Sequence, residues 1–180
     1  MSAVESLALV SRYRLALVRA ETEPHPALPR SPLPGEVAAF FHSVTSDLPF
    51  ECAGALLLDA TDRPIGYVLP YTGALEYVTA EPRAFLSAAL LANAAGLTLF
   101  HLHPSSGDPT PSPADLDSTR RMVEAGERVG VRVLDHLVLG EPPSYVSIRR
   151  LSRGKWPPPR RLSAWGCRPS QVRRPQASRP

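Results

Sequence analysis

The stretch LTLFHLHPSSGDPTPSPADLDSTRRMVEAGERVGVRVLDHLVLG, residues 97–140, decides how this chain is read. Leu97 to Leu102 is an apolar run of strand length that ends in His103-Pro104. The next residues, PSSGDPTPSP, carry four prolines and a glycine, so they form an irregular loop. Pro113 then suits the first turn of a helix that runs to Val129 and stops at Gly130. Val131 to Leu139 (VRVLDHLVL) is rich in Val and Leu and reads as a buried strand before Gly140.

Working outward, Pro82 opens a helix from Arg83 to about Ala94 that stops near Gly96. Ahead of it, Ala53 to Asp59 and Ile65 to Tyr71 read as paired strands around the turn Ala60-Thr61-Asp62-Arg63. Glu36 to Val44 places Val37, Phe40, Phe41 and Val44 on one helical face. Downstream, Tyr145 to Ile148 is a last edge strand. Strands alternating with helices in this order give the α/β class, a mixed β-sheet flanked by helices. Residues 22–35 hold five prolines and form an extended connector. Before it, residues 12–19 alternate like a half-exposed strand, with a helix as the competing reading. The chain thus divides into an N-terminal strand and connector (1–35), a folded domain (36–150) and a tail (151–180).

Composition narrows the function. Residues 151–180 contain eight Arg or Lys and no acid, which leaves the first 150 residues at 12 − 17 = −5. Such a tail can contact nucleic acid, although most short basic, proline-rich tails are simply solvated. Cys52 and Cys167 are too few for a disulfide scaffold, which fits a cytoplasmic protein. Glu5, Arg12, Arg14 and Arg19 interrupt the N-terminus and no export signal is expected. The uncharged stretch 84–107 has membrane length but contains Ser87, Asn93, Gly96 and two histidines, so it reads as a buried helix and strand.

The chemistry gathers in residues 101–115. His101 and His103, two apart on a strand, share a face and can converge on one ion. Alone, this pattern equally describes two hydrogen-bonded surface histidines. Ser112-x-x-Asp115 at a helix start equally describes a capping box. Their occurrence within 15 residues makes a site of them. Two imidazoles and a carboxylate leave a fourth position open for water, as in catalytic zinc. Zinc brings the pKa of such a water to about 7, and a carboxylate must then handle its proton. Glu51, at a strand start, is the natural candidate. Asp108 is an alternative third ligand, although Gly107-Asp108-Pro109 looks like turn chemistry. Non-haem iron uses a similar ligand set; Glu51 and Ser112 nearby favour zinc. Cys52 should point away from His101 if Glu51 points in. Asp135 and His136 read as buried, satisfied strand residues with a supporting role open to them. A zinc nucleobase deaminase would need a P-C-x-x-C segment, which is missing.

These motifs, together with ECAGALLLD (51–59), Tyr71-Thr72-Gly73 and Pro82-Arg83, resemble the JAMM/MPN domain of RadC-like proteins over about residues 31–149. The resemblance implies the JAMM/MPN fold, a cytidine-deaminase-like sandwich. It implies His101, His103 and Asp115 as Zn2+ ligands, Glu51 as general acid/base and Ser112 as donor to the oxyanion. The expected activity is that of a zinc metalloprotease cutting peptide or isopeptide-linked protein substrates. A metal-bearing binding or DNA-repair-associated module is the alternative. Two departures from the family pattern bear on the site. Leu102 replaces a polar residue between the histidines and should point away from the metal. Eight residues rather than seven separate His103 from Ser112, an addition that a Gly-Pro loop should absorb. The helical domain that precedes this one in longer RadC proteins has no counterpart here, so a DNA-repair role draws no support.

Overall fold

A computed structural model of the chain describes residues 27–46, 48, 51–72, 81–103, 106–152 and 156. The expected N-terminal strand at 12–19 and nearly all of the basic tail lie outside them. The elements are α1 (Pro34–Val44), β1 (Cys52–Leu58), β2 (Pro64–Thr72), α2 (Pro82–Leu91), β3 (Gly96–Leu102), α3 (Pro113–Val129), β4 (Arg132–Leu139), β5 (Tyr145–Ser147) and α4 (Ile148–Leu151). The strands form one mixed sheet in the order β2-β1-β3-β4-β5. β1 runs antiparallel to both β2 and β3, β3 parallel to β4, and β4 antiparallel to β5. This is the α/β sheet flanked by helices expected from the sequence, and it is consistent with a JAB/MPN fold.

Side-chain alternation sorts the sheet into two cores. Ala53, Ala55, Leu57, Leu97 and Leu99 meet Phe85 and Leu86 of α2 and Met122 and Val123 of α3. Cys52, Leu56, Leu58, Phe100 and Leu102 meet Val37, Phe40 and Phe41 of α1 on the other side. Phe41 is fully buried and stacks on Phe100 with ring centroids 3.8 Å apart. Phe41→Ala should therefore cost about 3–5 kcal/mol. Urea unfolding would show this as a lower midpoint with an unchanged slope.

Strand ends shift by a residue from the sequence reading, and three helix boundaries differ from it for a local reason. α1 starts at Pro34 rather than Glu36, because proline is already set for the first helical turn and Glu36 accepts from the Leu33 N–H at 2.7 Å. α2 ends at Leu91, since Asn93 adopts a positive φ of 53° that breaks the helix. Ile148 opens α4 instead of extending β5, and the Ser147 side chain caps that helix by accepting from the Arg150 N–H. The end of α3 is as expected: Gly130 takes the left-handed conformation at φ 77°.

One irregularity sets the direction of His136. Leu97 pairs with Val133 but Thr98 pairs with Asp135, so β4 carries one extra residue against β3. Val133 lies in the α2/α3 core, while Leu137 and Leu139 lie in the α1 core. In an unbroken strand, His136 would share a face with neither Val133 nor the odd-numbered side of β3. The bulge turns it toward α3, where it bonds to Thr119.

A candidate metal centre at the start of helix α3

His101 continues the side of β3 that carries Leu97 and Leu99, so it emerges beside α3. His103 follows just beyond the strand, with its N–H bound to the Leu139 carbonyl at 2.8 Å. Asp115 is held in the first turn of α3 by a reciprocal cap. Its Oδ2 accepts from the Ser112 N–H and hydroxyl, both at 2.7 Å, and its own N–H donates to Ser112 Oγ at 3.2 Å. The three side chains come together. His101 Nε2 lies 3.0 Å from His103 Nε2 and 3.3 Å from Asp115 Oδ1, and His103 Nε2 lies 3.9 Å from Asp115 Oδ2.

These residues fit zinc. Ligand atoms on a tetrahedral zinc with bonds of 2.0–2.1 Å are about 3.3 Å apart; His101 Nε2 is near that distance from both His103 Nε2 and Asp115 Oδ1, and His103 Nε2 comes within 3.9 Å of the same carboxylate through Oδ2. The donor set, two imidazole nitrogens and a carboxylate oxygen, has one ligand atom per residue within 4.8 Å of the others. Held by them, zinc would supply Lewis acidity and a water acidic enough to ionise near neutral pH. His103 is already oriented for this role, because its Nδ1 meets the Asp108 carbonyl at 3.0 Å and so carries the ring hydrogen.

Electrostatics tighten the cluster. Burial alone would raise the Asp115 carboxyl, but the adjacent His101 ring and the two Ser112 donors outweigh it and hold the group well below the ordinary carboxylate range. Burial, then the neighbouring His101 ring, pushes His136 far below the usual histidine value. Cys52 is free and buried in the α1 core, and burial pushes its thiol up to about 11. It is an inert packing residue facing away from the histidines, as expected. Leu102 likewise points into the α1 core.

The cluster sits at the foot of a cleft of about 630 Å³ between the ends of β1 and β3 and the start of α3. Glu51, immediately before β1, lines the same cleft, as does Ser112. All five residues singled out from the sequence are thus gathered around one space. The longer loop does not displace Asp115. Gly107, at φ 63°, lets the loop turn back so that its N–H meets the His103 carbonyl and its carbonyl accepts from the Glu141 N–H. Asp108 is a turn residue as expected, its Oδ1 accepting from the Thr110 N–H and hydroxyl.

Sequence reasoning did not find what lies behind the cluster. His101 Nδ1 is 2.9 Å from His136 Nε2, and His136 Nδ1 is 2.6 Å from Thr119 Oγ1. His136 was legible as a buried histidine with a supporting role open to it, and Thr119 carried no signal beyond its place four residues after Asp115. Asp135, its sequence neighbour, is a structural residue. Its carboxylate accepts from Ser147 Oγ and from the His136 and Arg149 N–H groups.

Residues 32–154 match the family described as RadC-like JAB domain. The chain is 41% identical over 114 residues to a UPF0758 protein of Pelobacter propionicus, covering 63% of this chain and 49% of that protein. It is 39% identical over 115 residues to a UPF0758 protein of Geotalea uraniireducens, covering 64% and 50%. A Pseudomonas fluorescens UPF0758 protein is 41% identical over 105 residues, covering 58% and 46%. The chain spans about half the length of the curated relatives it matches.

Proposed function

The chain belongs to the RadC-like JAB domain family, and from that membership we propose that it is a zinc-dependent metallohydrolase cleaving amide bonds in peptides or at isopeptide links. The observation that carries the proposal is the convergence of His101, His103 and Asp115 in a cleft that also holds Glu51 and Ser112. His101, His103 and Asp115 would hold the metal, which when bound would supply Lewis acidity at the substrate carbonyl and lower the pKa of the attacking water. Glu51 takes the proton of that water and delivers it to the departing amine. Ser112 turns its hydroxyl from Asp115 toward the carbonyl oxygen as negative charge builds there. Phe85, Leu99 and Met122 give the cleft non-polar walls on the α2/α3 side.

No helix among the described residues is long and apolar enough to cross a membrane. A cytoplasmic setting agrees with the free thiol of Cys52. The test is incubation of the zinc-loaded full chain with peptide and isopeptide-linked protein substrates, with DNA and RNA as parallel arms. Amide cleavage that stops with chelator and returns with zinc is the expected result. Cleavage of nucleic acid alone would replace the amide by a phosphodiester. Tight zinc binding with no cleavage in any arm would favour a metal-bearing binding module.

A further inference from the structure

We propose that Thr119 and His136 are positioning residues that set the tautomer of His101, so that its Nε2 offers a lone pair to the metal; this rests on the metallohydrolase reading of the same site. The direction of the chain follows from its far end. Thr119 Oγ1 is 2.6 Å from the Asp115 main-chain carbonyl and 2.6 Å from His136 Nδ1. A carbonyl has no hydrogen to give, so the threonine hydroxyl donates to it. Thr119 then accepts from His136, whose ring hydrogen sits on Nδ1. His136 is 4% exposed and, among the described residues, pairs with no carboxylate, so it holds that one hydrogen and its Nε2 is an acceptor. His101 Nδ1, 2.9 Å away, must be the donor. The lone pair of His101 is left on Nε2, facing His103 and Asp115.

The opposite polarity is chemically available and would spoil the site. A hydrogen on His101 Nε2 would point to Asp115 Oδ1 at 3.3 Å and occupy the position that a metal needs. With the relay running from His101 through His136 and Thr119 to Asp115, that hydrogen is held on the far side of the ring. His103 is fixed in the same sense by the Asp108 carbonyl. Two imidazole lone pairs then meet 3.0 Å apart, an arrangement that repels unless a cation lies between them. The relay also ends on the backbone of Asp115, so the ligand on β3 and the ligand on α3 share one hydrogen-bonded frame. The extra residue in β4 supplies the geometry, because it turns His136 to the α3 side.

The test uses the full chain with Thr119→Val, which keeps size but loses the hydroxyl, and Thr119→Ser, which restores it. Two readouts apply: zinc affinity by competition with a chromophoric chelator, and the imidazole nitrogen shifts of His101 in metal-free protein at alkaline pH, where a neutral ring holds a single hydrogen. Wild type should show the hydrogen on Nδ1. Thr119→Val should mix the tautomers and weaken zinc binding about 10–100-fold, and Thr119→Ser should restore both. An Nε2 hydrogen on His101 in wild type would overturn the proposal, as would wild-type zinc affinity in a folded Thr119→Val. If Thr119→Val does not fold, the wild-type spectrum decides alone. Neither readout needs turnover. A failed hydrolase assay beside an intact relay condemns only the activity, and turnover with an unchanged Thr119→Val condemns only the relay.

Discussion

Glu51→Gln should lower turnover about 10²–10⁴-fold, the range for removing a general acid/base, while zinc binding stays as in wild type. Glutamine matches glutamate in size and can still accept a hydrogen bond, but it cannot take a proton from water at neutral pH. Glu51 lies just before β1 and is not among the residues that form the metal cluster. The substitution therefore separates the proton from the metal. The measurement is kcat on any substrate found to be cut, beside zinc stoichiometry of the same preparation. Turnover retained within a few-fold would remove Glu51 from the mechanism. Loss of zinc would place it among the ligands instead.

His103→Ala should weaken zinc binding by more than about 100-fold, beyond the range seen when only a supporting residue is lost. His103 sits past the end of β3 and its side chain is 22% exposed, so its truncation opens no core cavity. Stability of the metal-free protein should change by no more than about 0.5 kcal/mol. The same comparison at Asp115 would be less clean, because that carboxylate also caps α3 through Ser112. Competition with a chelator gives the affinity, and urea unfolding in excess chelator gives the stability. Wild-type affinity in His103→Ala would break the ligand set at its most exposed member.

Most of the fold was legible because its signals are local. Pro113 and Gly130 bracket α3, and the alternation around His101 and His103 fixes the face of β3. That Glu51, His101, His103, Ser112 and Asp115 lie around one cleft was foreseen from motifs within 15 residues together with the family resemblance that pointed to Glu51. What the sequence hid depends on pairing between distant strands. The placement of His136 turns on one extra residue in β4 relative to β3, and no alternation within VRVLDHLVL reveals a bulge that exists only against a partner. Read as an unbroken strand, that segment sends His136 to the α1 side. Thr119 was hidden for a different reason: a threonine four residues after Asp115 looks like an ordinary helix residue bonding to its own backbone. The Asp108 carbonyl that orients His103 is a main-chain group, which residue types cannot report.

X-ray absorption of the zinc-loaded chain tests the metal centre most directly. One zinc per chain with only nitrogen and oxygen neighbours at about 2.0–2.1 Å, two of them imidazole, is the expected spectrum. A sulfur shell at about 2.3 Å, or a shell without imidazole scattering, would contradict a site built from His101, His103 and Asp115.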